Sequence, residues 1–133
     1  MMMIKSNGGS GTFSNAVFRN FTGHSNAYTL NLDSAWAQRQ PDPGLGVEYD
    51  YLIFSNWKGT CLDGTRRPPI QILCPDVLFC GHIEVEDFNV WTENGTSVLH
   101  KCQNAFGVGV CLNQFAGNGA YVSTATVKTM DVA

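Results

Sequence analysis

One six-residue pattern occurs three times and narrows the folds open to this chain. Ala16-Val17-Phe18-Arg19-Asn20-Phe21 can be laid over Leu52-Ile53-Phe54-Ser55-Asn56-Trp57 and over Ile83-Glu84-Val85-Glu86-Asp87-Phe88. In each, the first, third and sixth residues are apolar or aromatic, and the fifth is Asn or Asp. Apolar residues at period two mark a half-buried strand, and Asn or Asp before the next apolar residue marks a turn or bend. A second strand follows each unit: Ala27-Tyr28-Thr29-Leu30-Asn31-Leu32, Pro69-Ile70-Gln71-Ile72-Leu73 and Ser97-Val98-Leu99-His100. Phe21 and Trp57 are 36 positions apart, and Trp57 and Phe88 are 31 apart.

Units of this length fit the coils of a parallel β-helix, in which equivalent side chains stack from coil to coil. An antiparallel sandwich of short strands would show the same alternation. No stretch of ten or more residues carries helix formers at i, i+3 and i+4, and 14 glycines punctuate the chain. The chain therefore reads as all-β. Two stretches depart from the repeat. Asp33 to Gly46, with two prolines and two glycines, reads as a loop between coils. Gln114 to Ala133 carries no motif and reads as a terminal edge strand or a loose tail after a body spanning residues 1–113.

The chain's 133 residues suffice for one domain with an ordinary core. Only 14% of residues are charged and the net charge is −3, so no basic field exists to hold nucleic acid. No run reaches the roughly 18 apolar residues of a membrane-spanning helix. Met1 to Ile4 is too short for the apolar part of a secretory leader, and Lys5 follows it instead of preceding it. The five cysteines nonetheless suit an extracellular protein. Cys74 and Cys80 bracket Pro75-Asp76, Cys102 and Cys111 flank a glycine-rich loop, and such local pairs can close small loops. Cys61 is left over. No Cys-x-x-Cys occurs and no histidine sits at ligand spacing, so no metal is expected. Two glycosylation triplets, Asn20-Phe21-Thr22 and Asn94-Gly95-Thr96, point the same way as the cysteines. Of the two, Asn94 is the expected glycan site, because Asn20 falls in the repeat.

The start of the chain, Met1 to Ile4 followed by Lys5 and Ser6-Asn7-Gly8-Gly9-Ser10-Gly11, reads as a short buried strand ending at a cation before a flexible turn. A lysine placed there holds its stem on the rim of the core and its ammonium outward, where it can meet an anion. The stretch Met3 to Gly11 resembles the substrate-binding strand of the rhamnogalacturonan hydrolases, the rhamnogalacturonase branch of family-28 glycoside hydrolases. Asn56-Trp57-Lys58-Gly59-Thr60, Arg67-Pro68-Pro69-Ile70, Val90-Trp91-Thr92-Glu93 and the closely spaced cysteines resemble that branch in the same order. The similarity runs from Met3 to about Leu112 and matches the later part of a much longer enzyme.

That resemblance implies a right-handed parallel β-helix, of which this chain holds only some coils. It implies the pairs Cys74–Cys80 and Cys102–Cys111. It also implies a secreted, pectin-degrading glycosidase of the plant cell wall polysaccharides, inverting and without a cofactor. Inverting hydrolysis needs an acid and a base about 6.5–9.5 Å apart. The family's acidic motifs, Asn-Thr-Asp and Asp-Asp, and its Gly-His-Gly histidine precede the lysine strand, and none is present here. No catalytic residue is therefore assigned, and the chain by itself is expected to be inactive.

Lys5 is the family position that transfers directly, as a contact to the sugar near the scissile bond. Polygalacturonases place arginine two residues earlier to clamp a carboxylate, and here that residue is Met3. A methionine suits the C6 methyl of rhamnose better than a galacturonate, which favours a rhamnogalacturonan backbone. Trp36 is either an aromatic face for a sugar ring or a plug folded back over the core. Asp33 is the acid nearest Lys5 and reads as structural or substrate-binding. The rival function is a truncated, non-catalytic carbohydrate-binding or decoy solenoid. Under either reading the ligand is a pectic polysaccharide, and the open first coil is expected to self-associate.

Overall fold

The computed structural model describes residues 1–36, 40–93, 95, 97–114 and 122–127. Those residues form strands β1 (Met2–Lys5), β2 (Gly8–Asn26), β3 (Leu30–Asp33), β4 (Asp42–Cys61), β5 (Ile70–Leu73), β6 (Cys80–Thr92), β7 (Val98–Gln103), β8 (Ala105–Val108) and β9 (Val122–Val127), and none of them is helical. Short and long strands alternate along the chain and sort into two sheets. One has the order β1-β3-β5-β7-β9 and the other β2-β4-β6-β8. Every pairing is parallel except that of β7 with β9. Each coil therefore contributes one short and one long strand, and the coils stack as a partial parallel β-helix.

The stacking register is the one the repeat dictates. Ala16 pairs with Leu52, Phe18 with Phe54 and Phe21 with Trp57, and these positions pair in turn with Ile83, Val85 and Phe88. The fifth positions, Asn20, Asn56 and Asp87, take φ values of 66°, 55° and 48°. This left-handed conformation costs Asn and Asp least among residues with a Cβ, because their short polar side chains bond locally. A second set of bends, at Asn15, Tyr51 and His82 with φ of 59°, 53° and 50°, lies five residues earlier in each coil. The long strands thus turn twice, wrapping the chain around its own core.

Leu30, Leu32, Leu52, Phe54, Trp57, Ile70, Ile72 and Ile83 have no exposed surface and line the interior of successive coils. Phe21, Trp57 and Phe88 form a column, with ring centroids 4.3 Å and 5.9 Å apart. Trp57 satisfies its indole N–H by donating to the carbonyl of Phe18 at 2.8 Å. Burying one such side chain stabilises by about 1.5–3 kcal/mol, so the column is a major part of the core. At Gly59, φ is 138° and a Cβ would stand 1.8 Å from the carbonyl oxygen of Gly23, so only glycine lets the two coils close up there.

The stretch from Asp33 to Gly46 is only partly a loop. Strand β4 already starts at Asp42, whose N–H donates to the carbonyl of Asn7 at 3.1 Å. Pro43 is tolerated because this part of β4 pairs with β2 alone, β6 joining only from Asp50 onward, so its missing N–H faces no neighbour. Within residues 114–133, β9 runs antiparallel to β7, from Val98 opposite Val127 to Gln103 opposite Val122.

Candidate functional site

Alternation along β1 and β3 decides which side chains face out. Leu30 and Leu32 enter the core, so Asn31 and Asp33 take the outer face, beside Met3 and Lys5 of the coil below. Met3 and Lys5 are both exposed on that face. Tyr49 fixes the end of β1 by donating from its hydroxyl to Ser6 Oγ at 2.7 Å, and burial pushes the Tyr49 phenol up.

Just past β3 the chain makes a tight turn. Asp33 Oδ1 accepts the N–H of Ala35 at 2.9 Å, and the N–H of Trp36 donates to the carbonyl of Ser6 at 3.0 Å. These bonds set Trp36 against β1, with Lys5 Nζ 5.3 Å from its ring centroid. Trp36 is half-buried and belongs to neither core cluster. Its ring meets that of Tyr28 edge-on, with centroids 5.8 Å apart, and Arg67 Cζ lies 4.8 Å from the Tyr28 ring centroid. Two cations thus bracket two aromatic rings. Among the described residues, no carboxylate lies within ion-pair distance of either cation. Asn31, on the same outer face, is 3% exposed, and its Oδ1 has no hydrogen-bond partner among the described residues.

A groove of about 510 Å³ opens beside this cluster, lined in part by Asn7, Asp33, Ser34, Pro41, Asp76 and Gln103. Lys5, Met3, Trp36 and Asp33 therefore share one face. Tyr28 and Arg67 join the cluster without any signal in the repeat. Asn94 lies outside the described residues.

Elsewhere, Cys74 is bonded to Cys80 and Cys102 to Cys111, while Cys61 is unpaired and buried. His24, on an exposed edge, meets an acid from another coil. Its Nε2 is 3.0 Å from Glu93 Oε1, an oxygen that also accepts from Ser25 and Thr60. The Ser25 hydroxyl, then the His24 charge, hold the Glu93 carboxyl below its usual range. The Glu93 cluster ties three successive coils together across an exposed edge.

The fold and this face define a parallel β-helix that presents cations and aromatic rings to solvent beside an open groove. The sequence is similar over 130 residues, 97% of the chain, to the "Probable rhamnogalacturonase B" of Aspergillus fumigatus, at 49% identity. It is 46% identical over 129 residues to the "Probable rhamnogalacturonase A" of Aspergillus niger, and 45% identical over 127 to the "Rhamnogalacturonase A" of Aspergillus aculeatus. The chain spans 25% of the first of these relatives and 29% of the other two. No protein-family profile matches the chain. The resemblance read from the sequence thus extends along nearly the whole chain.

Proposed function

We propose that this chain is the substrate-binding, late-coil portion of a secreted glycoside hydrolase that cuts the galacturonate–rhamnose backbone of rhamnogalacturonan. The observation that carries this reading is Lys5 held over Trp36 on an exposed strand face. An aromatic face packs on the apolar side of a sugar ring, while an unpaired ammonium beside it pairs with a uronate carboxylate. Met3, on the same strand, meets the methyl group of the adjoining rhamnose. Asp33 uses one oxygen in its own turn and frames the groove. The acid and base of hydrolysis come from coils outside this chain, and two carboxylates suffice for that chemistry without a cofactor. The similarity to proteins named rhamnogalacturonase and the two disulfides support the reading. Edge strands β1 and β2, lacking a neighbouring coil in this chain, pair with a second copy when the protein is concentrated.

The test is calorimetric titration with rhamnogalacturonan oligosaccharides. Lys5→Ala and Trp36→Ala are each expected to weaken binding by about tenfold or more, the loss of one charged or stacking contact. Binding that is absent in the unaltered chain, or unchanged in both variants, would refute the assignment.

A further inference from the structure

Arg67 is built into its position with more care than a solvated surface arginine needs. The two residues after it, Pro68 and Pro69, are buried, and Pro69 accepts the N–H of Leu30 through its carbonyl at 2.8 Å. Proline fixes its own φ and holds the preceding residue extended, so the root of the Arg67 side chain has little freedom. Just before it, Asp63 Oδ1 accepts the N–H groups of Thr65 and Arg66, each at 2.8 Å. Those two bonds, Arg66 first, hold the Asp63 carboxyl below its usual range. One oxygen of the nearby carboxylate is thus taken up by the backbone, and the Arg67 guanidinium has no anionic partner among the described residues. It lies over the Tyr28 ring, 4.8 Å from Cζ to the centroid.

From these observations we infer that Arg67 and Tyr28 form a second carboxylate-binding subsite, which takes another galacturonate of the strand that Lys5 and Trp36 engage. This rests on the function proposed above and extends it from one anchor to two. A guanidinium lying on a ring keeps the outward part of its donor fork free for a carboxylate, which it grips through two parallel bonds. The rings of Tyr28 and Trp36, in edge contact at 5.8 Å, join the two cations into one continuous surface. A polymer with a carboxylate on every second sugar meets charge at both ends of this surface and an apolar face between them. A neutral polysaccharide would leave both cations unpaired. The subsite therefore selects for uronate content along the strand.

The experiment compares two probes by calorimetry: a rhamnogalacturonan oligosaccharide, and the same oligosaccharide with its carboxyl groups reduced to alcohols. Arg67→Gln is expected to weaken binding of the acidic probe about tenfold and to leave the reduced probe unchanged. Arg67→Lys keeps the charge without the fork and should fall between the two. Thermal melts of the variants verify that the exposed substitutions leave the fold intact. Equal binding of the acidic probe by Arg67→Gln and the unaltered chain would overturn the second subsite while sparing the Lys5 site. An equal loss for both probes would also overturn it, by showing a packing role. No binding of either probe by the unaltered chain would overturn the functional reading itself, and the subsite with it.

Discussion

Asn56 donates from Nδ2 to Oδ1 of Asn20, 36 residues earlier, at 2.8 Å. Both backbones are left-handed at that point, with φ of 55° and 66°, so this side-chain ladder runs along a column of bends. Replacing Asn56 with Val places a β-branched residue where its Cβ crowds the carbonyl and also removes the bond. Asn56→Val should cost about 2 kcal/mol or more, whereas Asn56→Gly, which relieves the backbone, should cost about 1 kcal/mol. Denaturant unfolding of the two variants measures the difference, and equal losses would show that the bend is unstrained.

His100 gives the fold a built-in sensitivity to acid. The residue is 4% exposed, and its Nδ1 accepts the N–H of Ile70 at 3.3 Å. Burial lowers its pKa to about 4. The folded state therefore holds the proton less tightly than the unfolded chain, whose histidine titrates near 6.5. The stability contributed by neutral His100 is fully present above pH 6.5 and falls progressively as pH drops toward 4, by about 3 kcal/mol in all. Protonation would also point an N–H at the N–H of Ile70. Melting temperatures of the unaltered chain should decline across this window, and those of His100→Gln should decline much less. Parallel curves would remove His100 as the cause.

The single free thiol should be silent in the native protein. Cys61 is 1% exposed, and burial, then the charge of Asp63, push its thiol up. A thiol reagent at neutral pH should label nothing in the folded chain and one cysteine after unfolding without reductant. Two or more labelled cysteines would contradict the Cys74–Cys80 and Cys102–Cys111 bridges.

The chain as it stands should bind but not cut. The acidic and histidine motifs that the resemblance implies for hydrolysis, Asn-Thr-Asp, Asp-Asp and Gly-His-Gly, do not occur in its sequence. Incubated with rhamnogalacturonan, the pure 133-residue chain should release no more reducing ends than its Lys5→Ala variant. A clear excess would locate a catalytic pair within these residues.

The open first coil predicts concentration-dependent association. Strands β1 and β2 are edge strands of their sheets, and the hydrophobic side chains of Met1, Met2, Ile4, Phe18 and Phe21 are only partly buried there. Sedimentation at rising concentration should show larger species, and supplying a preceding coil should suppress them. A single monomer boundary at every concentration would refute this.

Much of the architecture is written locally. Alternation at period two and an Asn or Asp at each bend need only six neighbouring residues. Those six set both the stacking of Ala16, Leu52 and Ile83 and the left-handed turns at Asn20, Asn56 and Asp87. The end of β1 at Lys5 was legible as well, from an apolar run stopped by a cation and turn residues. The strand is not buried as that run implied: Met2 and Ile4 are half-buried and Met3 is exposed. What the sequence could not reveal depends on how loops from different coils meet. Tyr28 and Arg67 are far apart in the chain and share no periodicity. Their contact exists because the turns before β3 and β5 come together when Leu30 pairs with Ile70. The early start of β4 at Asp42, the antiparallel β9 and the tie from His24 to Glu93 are of the same kind. Backbone preference fixes where a strand bends. Which side chains meet across coils is decided only when the coils pack, because that depends on long-range register and loop path.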